Sequence, residues 1–501
     1  MKTSGESLLL ILILLFFAGQ VLAQDNSWSQ FRGKNSLGLA PEYATPPLEL
    51  DFEHNLKWKI SLSEGLSSPC IIENRIFLTG FNPDDSALST YCIDRKNGSL
   101  LWEQKVFPDS LENIHTIGSP ASASAVANSK AVYVYFGSYG ILCYDFGGKL
   151  LWERRQPILN TTYGSCASPI LYDSLLILNL VEKNHPLILA LNCNSGEMIW
   201  TSELKNPPGM INDFSISFAT PVIWEDKLII HRNCGLNSIF IKDGSVAWTV
   251  GIISSGISTP VINNDVLYVN GFMNMGESRL YDKLPDFNTM IQSYNLDNDS
   301  LIDISEIPAE WVFYRRPGID LTNAYDSLFP IRDIAPYFDS VKDNSLERKE
   351  WNQMKEFQLK VSQEHGAVAF KLDSTGDSNN PALLWKEKEF VSEVPSLIVV
   401  DEWVYMVMNG GILSCIEARS SKIIFRERLN APGAYIASPI IAGGYLYIAS
   451  YNGKITIIKP GEKLNIVSQS DLHEKIGASP VALNNDFYVR TNKGLYAFVK
   501  E

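Results

Sequence analysis

The sequence predicts an all-β fold: an eight-bladed β-propeller of four-stranded blades, closed by an N-terminal strand and interrupted by a small α-helical insertion. Three observations carry this. A phrase of apolar strand, polar turn with glycine, and apolar strand with Trp recurs along the chain. A Ser/Thr-Pro pair heads most units, and the last unit is one strand short. The phrase reads Tyr91-Cys92-Ile93-Asp94-Arg95-Lys96-Asn97-Gly98-Ser99-Leu100-Leu101-Trp102 and returns over 143–152, 191–200 and 239–248. Self-similarity at about 48 to 50 residues with several short strands per unit is the mark of a propeller.

Taken in order, residues 1–23 read as a cleavable secretory signal. Lys2 precedes the apolar run from Leu8 to Ala18, and Val21-Leu22-Ala23 stands before Gln24. The run falls short of the roughly 20 residues a span needs, so a periplasmic or secreted protein without a transmembrane anchor is expected. No Cys at the cleavage point supports a lipid anchor. The propeller then occupies 24–273 and 365–501. Its units start at Ser68-Pro69, Ser119-Pro120, Ser168-Pro169, Thr220-Pro221, Thr259-Pro260, Ser438-Pro439 and Ser479-Pro480, with Val394-Pro395-Ser396-Leu397 as a degenerate copy. Pro is tolerated at the first residue of a strand, so each pair marks an innermost strand. The final unit, from Gly477, has three strands and no Trp strand. Leu56-Lys57-Trp58-Lys59-Ile60 matches the missing one, and pairing the termini leaves no open edge. A Trp at the same point of each unit reads as a packing wedge between sheets rather than a cofactor platform.

Hydrophobic residues make up 45% of the chain, ample for a core, and the formal net charge is −14. That charge argues against nucleic acid as a partner, because a phosphate backbone selects basic surfaces. Of seven cysteines, Cys92, Cys143, Cys193 and Cys415 occupy similar third-strand positions in different units. Equivalent positions in separate sheets are poorly placed to pair, so free buried thiols are expected.

Between Trp248 and Trp385 the spacing far exceeds one unit, and residues 274–364 form the insertion. A structureless loop of that length is uncommon. Phe287, Met290, Ile291 and Tyr294 fall at helical spacing, as do Trp351, Met354, Phe357 and Val361. After the first stripe, Asn295 to Glu306 resembles the twelve-residue calcium loop of the EF-hand family. Calcium takes six to eight hard oxygens. Asn295, Asp297, Asp299, Asp303 and Glu306 supply them at loop positions 1, 3, 5, 9 and 12, with the Leu301 carbonyl at 7. Ser300 stands where Gly makes the sharp turn, at an expected left-handed conformation costing about 1 kcal/mol. A second loop runs from Asp339 to Glu350. Asp339, Asp343, the Ser345 carbonyl, Glu347 and Glu350 are its candidate ligands, but Val341 brings no oxygen at position 3 and Asn344 replaces the turn Gly. It reads as a structural partner that binds calcium weakly if at all, with Ile302 set against Leu346.

The repeats resemble those of the pyrroloquinoline-quinone-like propellers, and Trp28-Ser29-Gln30-Phe31-Arg32-Gly33 is similar to the lead-in of a bacterial extracytoplasmic branch of that group. The resemblance covers most of the chain from Trp28 to Glu501 except the insertion. It implies either a quinoprotein dehydrogenase or a non-catalytic assembly-factor propeller. The dehydrogenases, in most forms, sandwich their quinone with adjacent cysteines and a Trp. This chain has no adjacent cysteines, so the quinone is not expected. No H-E-x-x-H, G-x-S-x-G or phosphate-binding Gly-Lys loop is present, and the six His residues show no metal-ligand spacing. His115 and His231 read as loop or core residues. The expectation is an extracytoplasmic, non-enzymatic binding or scaffold propeller that binds calcium on its insertion. Its partner is a protein or carbohydrate of the cell envelope. The alternatives are a divergent quinoprotein oxidoreductase and an envelope assembly factor.

Overall fold

Neighbouring strands joined by short turns, the inner ones apolar on both faces, can be satisfied only by sheets packed face to face. The chain adopts that arrangement radially. The computed structural model describes residues 27–158, 164–182, 185–204, 206–207, 216–273, 276, 284–297, 299–312, 330–373 and 380–500. Residues 1–23, read as a secretory signal, lie outside them. Eight antiparallel sheets stand in sequence around one axis. Blade 1 is built from Cys70–Ile72, Arg75–Asn82, Ala87–Asp94 and Leu100–Val106. The eighth takes Val481–Leu483, Asp486–Arg490 and Gly494–Val499 from the C-terminal end and Leu56–Ser61 from the N-terminal end. Trp58 faces Ala497 in that closing pair, as the short last unit predicts.

The recurring phrase has a physical reason. Four of the Trp side chains lean on the glycine turn of the next blade and donate the indole N–H to that turn. Trp58 bonds Arg95 O at 3.1 Å, Trp102 bonds Phe146 O at 3.1 Å, Trp152 bonds Cys193 O at 3.0 Å and Trp200 bonds Ile241 O at 2.9 Å. The apolar clusters lie in the seams between blades, such as Phe77 and Cys92 against Val132 and Val134. All seven cysteines are free thiols, six of them buried.

One strand head is misplaced by the Pro rule. In blade 2 the innermost strand is Val126–Ala127, and the position equivalent to Ser68 is held by Ser124, not Ser119. Ser119 instead closes a local turn in which Ala121 N donates to its hydroxyl. Pro120 belongs to that turn, so the pair marks a bend rather than a strand.

In a four-stranded meander the second-to-third turns and the crossings to the next blade share one face, and the glycine turns share the other. The insertion joins Val266–Gly271 to Gly366–Lys371, the second and third strands of blade 5, so it stands on the crossing face. On the opposite face the N-terminal segment enters the axis. Ser27–Trp28 pairs with Cys70–Ile72 as a fifth, innermost strand of blade 1, and Leu39 bridges Ile441 of blade 7. Between them Trp28 is 2% and Arg32 1% exposed. The lead-in is thus an axial plug. Gly33, at φ 69°, brings its backbone against the Trp28 ring, where a Cβ would lie 3.1 Å from the indole.

Candidate functional site

Two places on the crossing face concentrate chemistry. The first is the insertion. Asp286 caps the helix Phe287–Tyr294 by accepting the Thr289 N–H, and the helix buries Phe287 and Met290. The helix Arg348–Glu364 buries Trp351, Met354 and Val361. These side chains share one core with Ile302, Ile304, Ile331 and Leu346, and Ile253 of the propeller joins it. The two acidic loops meet in a short antiparallel ladder in which Ile302 lies opposite Leu346 and Asp303 opposite Ser345.

Within each loop the carboxylates turn to backbone donors. Glu306 accepts the N–H groups of Leu296 and Asp303, the latter at 3.1 Å. Glu350 repeats this, taking Ser340 N at 2.8 Å and Glu347 N at 2.9 Å. Asp297 accepts from Asp299 N, Asp299 from Leu301 N, and Asp303 from the Ser345 hydroxyl at 2.6 Å. The Asn295 amide nitrogen points inward, 2.9 Å from Asp299 O, 3.2 Å from Leu301 O and 3.4 Å from Asp299 Oδ1. In the second loop, burial works to raise the Asp339 carboxyl, but N–H donors from Asn344, Lys342 and Asp343 outweigh it and hold the group below its ordinary value. Burial likewise opposes, and the hydrogen bonds from Ser340 and Glu347 prevail in, the lowering of Glu350. Among the described residues no three His, Cys, Asp or Glu side chains converge on one point. The turn position also differs from expectation. Asn344 takes the left-handed backbone at φ 69°, whereas Ser300 is not among the positive-φ residues. A β-carbon penalises that conformation, and Asn tolerates it better than Ser.

The second place is the axial funnel, a cavity of about 140 Å³ floored by Phe31. Its wall has two tiers. One is a belt of Ser/Thr hydroxyls, one per blade, of which all but Thr259 accept the belt N–H of the preceding blade. The links run Ser479 to Ser68, Ser68 to Ser124, Ser124 to Ser168 and Ser168 to Thr220, then Thr259 to Ser396, Ser396 to Ser438 and Ser438 to Ser479, all at 2.8–3.0 Å. Two residues earlier in each crossing stands a mostly apolar collar that includes Leu66, Phe218, Ile257, Val394 and Ile436. Sequence reading took the hydroxyls only as strand heads. Their regular place before an innermost strand was the signal available.

Near this wall lies Glu112, 5% exposed, which sequence reading missed because nothing in its crossing repeats. Its carboxylate accepts Ser165 N at 2.7 Å and the Ser138 hydroxyl at 3.4 Å. Burial pushes its pKa up to about 7 against the pull of those donors. His231 is fully buried; its Nδ1 meets Ser258 O at 2.8 Å and Nε2 the Ser254 hydroxyl at 2.7 Å. Burial pushes it down to about 4, so it is a neutral core histidine. His115 is exposed in a crossing.

Comparison with known proteins agrees with this architecture. A family profile described as outer membrane protein assembly factor BamB matches residues 86–279. BamB of Yersinia pestis is 20% identical over 323 residues, covering 62% of this chain and 69% of that protein. BamB of Salmonella typhimurium is 20% identical over 310 residues, covering 62% and 68%. Among solved structures, BamB from Moraxella catarrhalis superposes with a TM-score of 0.51 at 11% identity, covering 89% of this chain and 99% of that one. A europium-containing methanol dehydrogenase gives 0.53 at 10%, covering 94% and 91%. At such identities the structural likeness speaks for the fold alone. With repeats, Trp wedges and closing strand all in place, the chain is a pyrroloquinoline-quinone-like β-propeller.

Proposed function

We propose that this protein is a non-catalytic scaffold of the bacterial cell envelope, related in role to the assembly factors it resembles, with a calcium site in the loop Asn295 to Glu306. The observation that carries the calcium reading is the pairing of Ile302 with Leu346 between two twelve-residue acidic loops. It sets the loops side by side as paired calcium loops require. The inward Asn295 amide nitrogen, surrounded by oxygens of Asp299 and Leu301, stands in for a cation. Turning that amide over would present Oδ1 to the same point, and the two orientations are a matter of assignment. The second loop serves as buttress. An extracytoplasmic setting suits weak sites of about 10⁻⁴ to 10⁻³ M.

The non-catalytic reading rests on the funnel. Pyrroloquinoline quinone is a planar tricarboxylate; the belt and collar themselves contain no Arg or Lys, and the single charge of Arg32 beyond the belt does not balance three carboxylates. These residues do not fit that group. The relatives named for outer-membrane protein assembly support an envelope partner, protein or carbohydrate, rather than a redox substrate.

Calorimetric titration of the mature chain with calcium tests the metal. Saturable heat at millimolar calcium is expected, reduced at least tenfold in Glu306→Gln, where the bidentate carboxylate is lost, and little changed in Asp343→Asn. No heat, or equal binding by Glu306→Gln, would reject the site. Adding quinone and calcium with alcohol or sugar substrates should give no dye-linked turnover, and turnover would overturn the scaffold reading.

A further inference from the structure

The funnel is chemically one-sided. Seven of the belt oxygens accept a backbone N–H from the neighbouring blade, yet none of the belt hydroxyls donates its own proton to a protein acceptor among the described residues. A hydroxyl carries one donor and two acceptor sites, so a circle of engaged oxygens presents protons to whatever lies inside it. The belt residues are 2–4% exposed, and Ser68, Thr220, Thr259, Ser396, Ser438 and Ser479 line the cavity.

A fixed positive charge lies one residue past the belt, behind the lining. Arg32 rises with the axial plug and donates to four carbonyls: Ser36 at 3.0 Å, Leu37 at 3.1 Å, Leu397 at 3.0 Å and Pro439 at 3.5 Å. Leu397 and Pro439 directly follow the belt residues Ser396 and Ser438. No carboxylate pairs with the guanidinium among the described residues. Burial pushes its pKa down to about 9, which still leaves it charged at neutral pH. A buried cation satisfied by carbonyls alone retains its attraction for an anion. Above the belt, the collar of Leu66, Phe218, Ile257, Val394 and Ile436 offers an apolar sleeve.

We propose that the axial cavity binds a small monoanion, a short-chain carboxylate whose oxygens take the belt protons above Arg32 and whose apolar chain lies in the collar. An inorganic halide would satisfy the belt but not the collar, which distinguishes the two sources of the same chemistry. The site is separate from the insertion loops and does not depend on calcium.

The test is calorimetric titration of the mature chain with sodium butyrate, sodium acetate and sodium chloride at fixed ionic strength, with sulfate as background anion. Two variants locate the signal. Thr259→Val removes an O–H that accepts no belt N–H, so the hydrogen-bonded belt stays intact. Ser122→Phe fills the collar from a half-buried position. Butyrate should bind saturably and more tightly than acetate, about tenfold more weakly in Thr259→Val, and not at all in Ser122→Phe. Saturable chloride binding alone, weakened by Thr259→Val, would support the same site filled by an inorganic anion. No saturable heat from either anion overturns the proposal, and so does butyrate binding unchanged in both variants.

Discussion

At Gly196 the backbone stands at φ 71° and a β-carbon would lie 2.6 Å from the Trp152 ring. Two costs therefore coincide there: left-handed backbone and overlap with a rigid ring. Gly444 has the same backbone sign, φ 79°, with nothing within 4 Å. Gly196→Ala should cost about 3 kcal/mol and Gly444→Ala about 1 kcal/mol in denaturant melts, the difference measuring the Trp seam. Glu112 provides a second residue-scale prediction. Its folded pKa is raised from 4.5 to about 7, so the native chain holds the proton more tightly than the unfolded chain. The resulting stabilisation is full below pH 4.5 and is lost as pH rises through 7. Relative to Glu112→Gln, which stays neutral, the parent should lose on the order of 3 kcal/mol between pH 4.5 and pH 8. Parallel slopes for the two proteins over that window would show that Glu112 is not the titrating group.

The insertion is an element with its own core, tied to the propeller by two strand ends and by Ile253. Its folding energy is therefore largely local. Leu346, fully buried opposite Ile302, holds the two loops in register. Leu346→Ala should remove about 2–5 kcal/mol from the insertion. Calcium affinity should fall while the main thermal transition of the propeller stays put. A lowered propeller transition together with unchanged calcium binding would mean that the loops are not coupled through this pair. Added calcium should protect amides of the first loop from exchange and leave those of Val132 and Val134 unchanged.

For the whole molecule, closure is the decisive contact. Leu56–Ser61 completes the eighth sheet, and Asp486 anchors it through Lys57 at 2.9 Å and Arg95 of blade 1 at 3.6 Å. Tyr488 donates to the same carboxylate at 2.8 Å. Asp486→Ala leaves Arg95, 6% exposed, without that carboxylate and should cost about 3–5 kcal/mol. Deleting residues 24–61 should go further, exposing the edge of Gly494–Val499 and removing the axial plug, with a large drop in the midpoint of the whole transition. A truncated chain that melts like the parent would show that the ring does not depend on its terminal clasp.

The ring was legible in the chain before any coordinates. Period, glycine turn and Trp are local patterns that repeat, and repetition is legible without coordinates; so was the missing strand, because a propeller cannot leave two open edges. The sequence also marked both acidic loops and the apolar pair that bridges them, since the candidate oxygens of such a loop follow one another in the chain. The rest became visible with packing. Ser119-Pro120 has the same local chemistry as a true strand head, and only the packing of blade 2 shows that Ser124 holds the belt. Arg32 was legible as part of a lead-in, but that it sits under Leu397 and Pro439, hundreds of residues away, depends on the closed ring. The hydroxyl belt and the buried carboxyl of Glu112 have the same origin: single residues from separate blades acquire their chemistry when closure brings them together and removes water from around them.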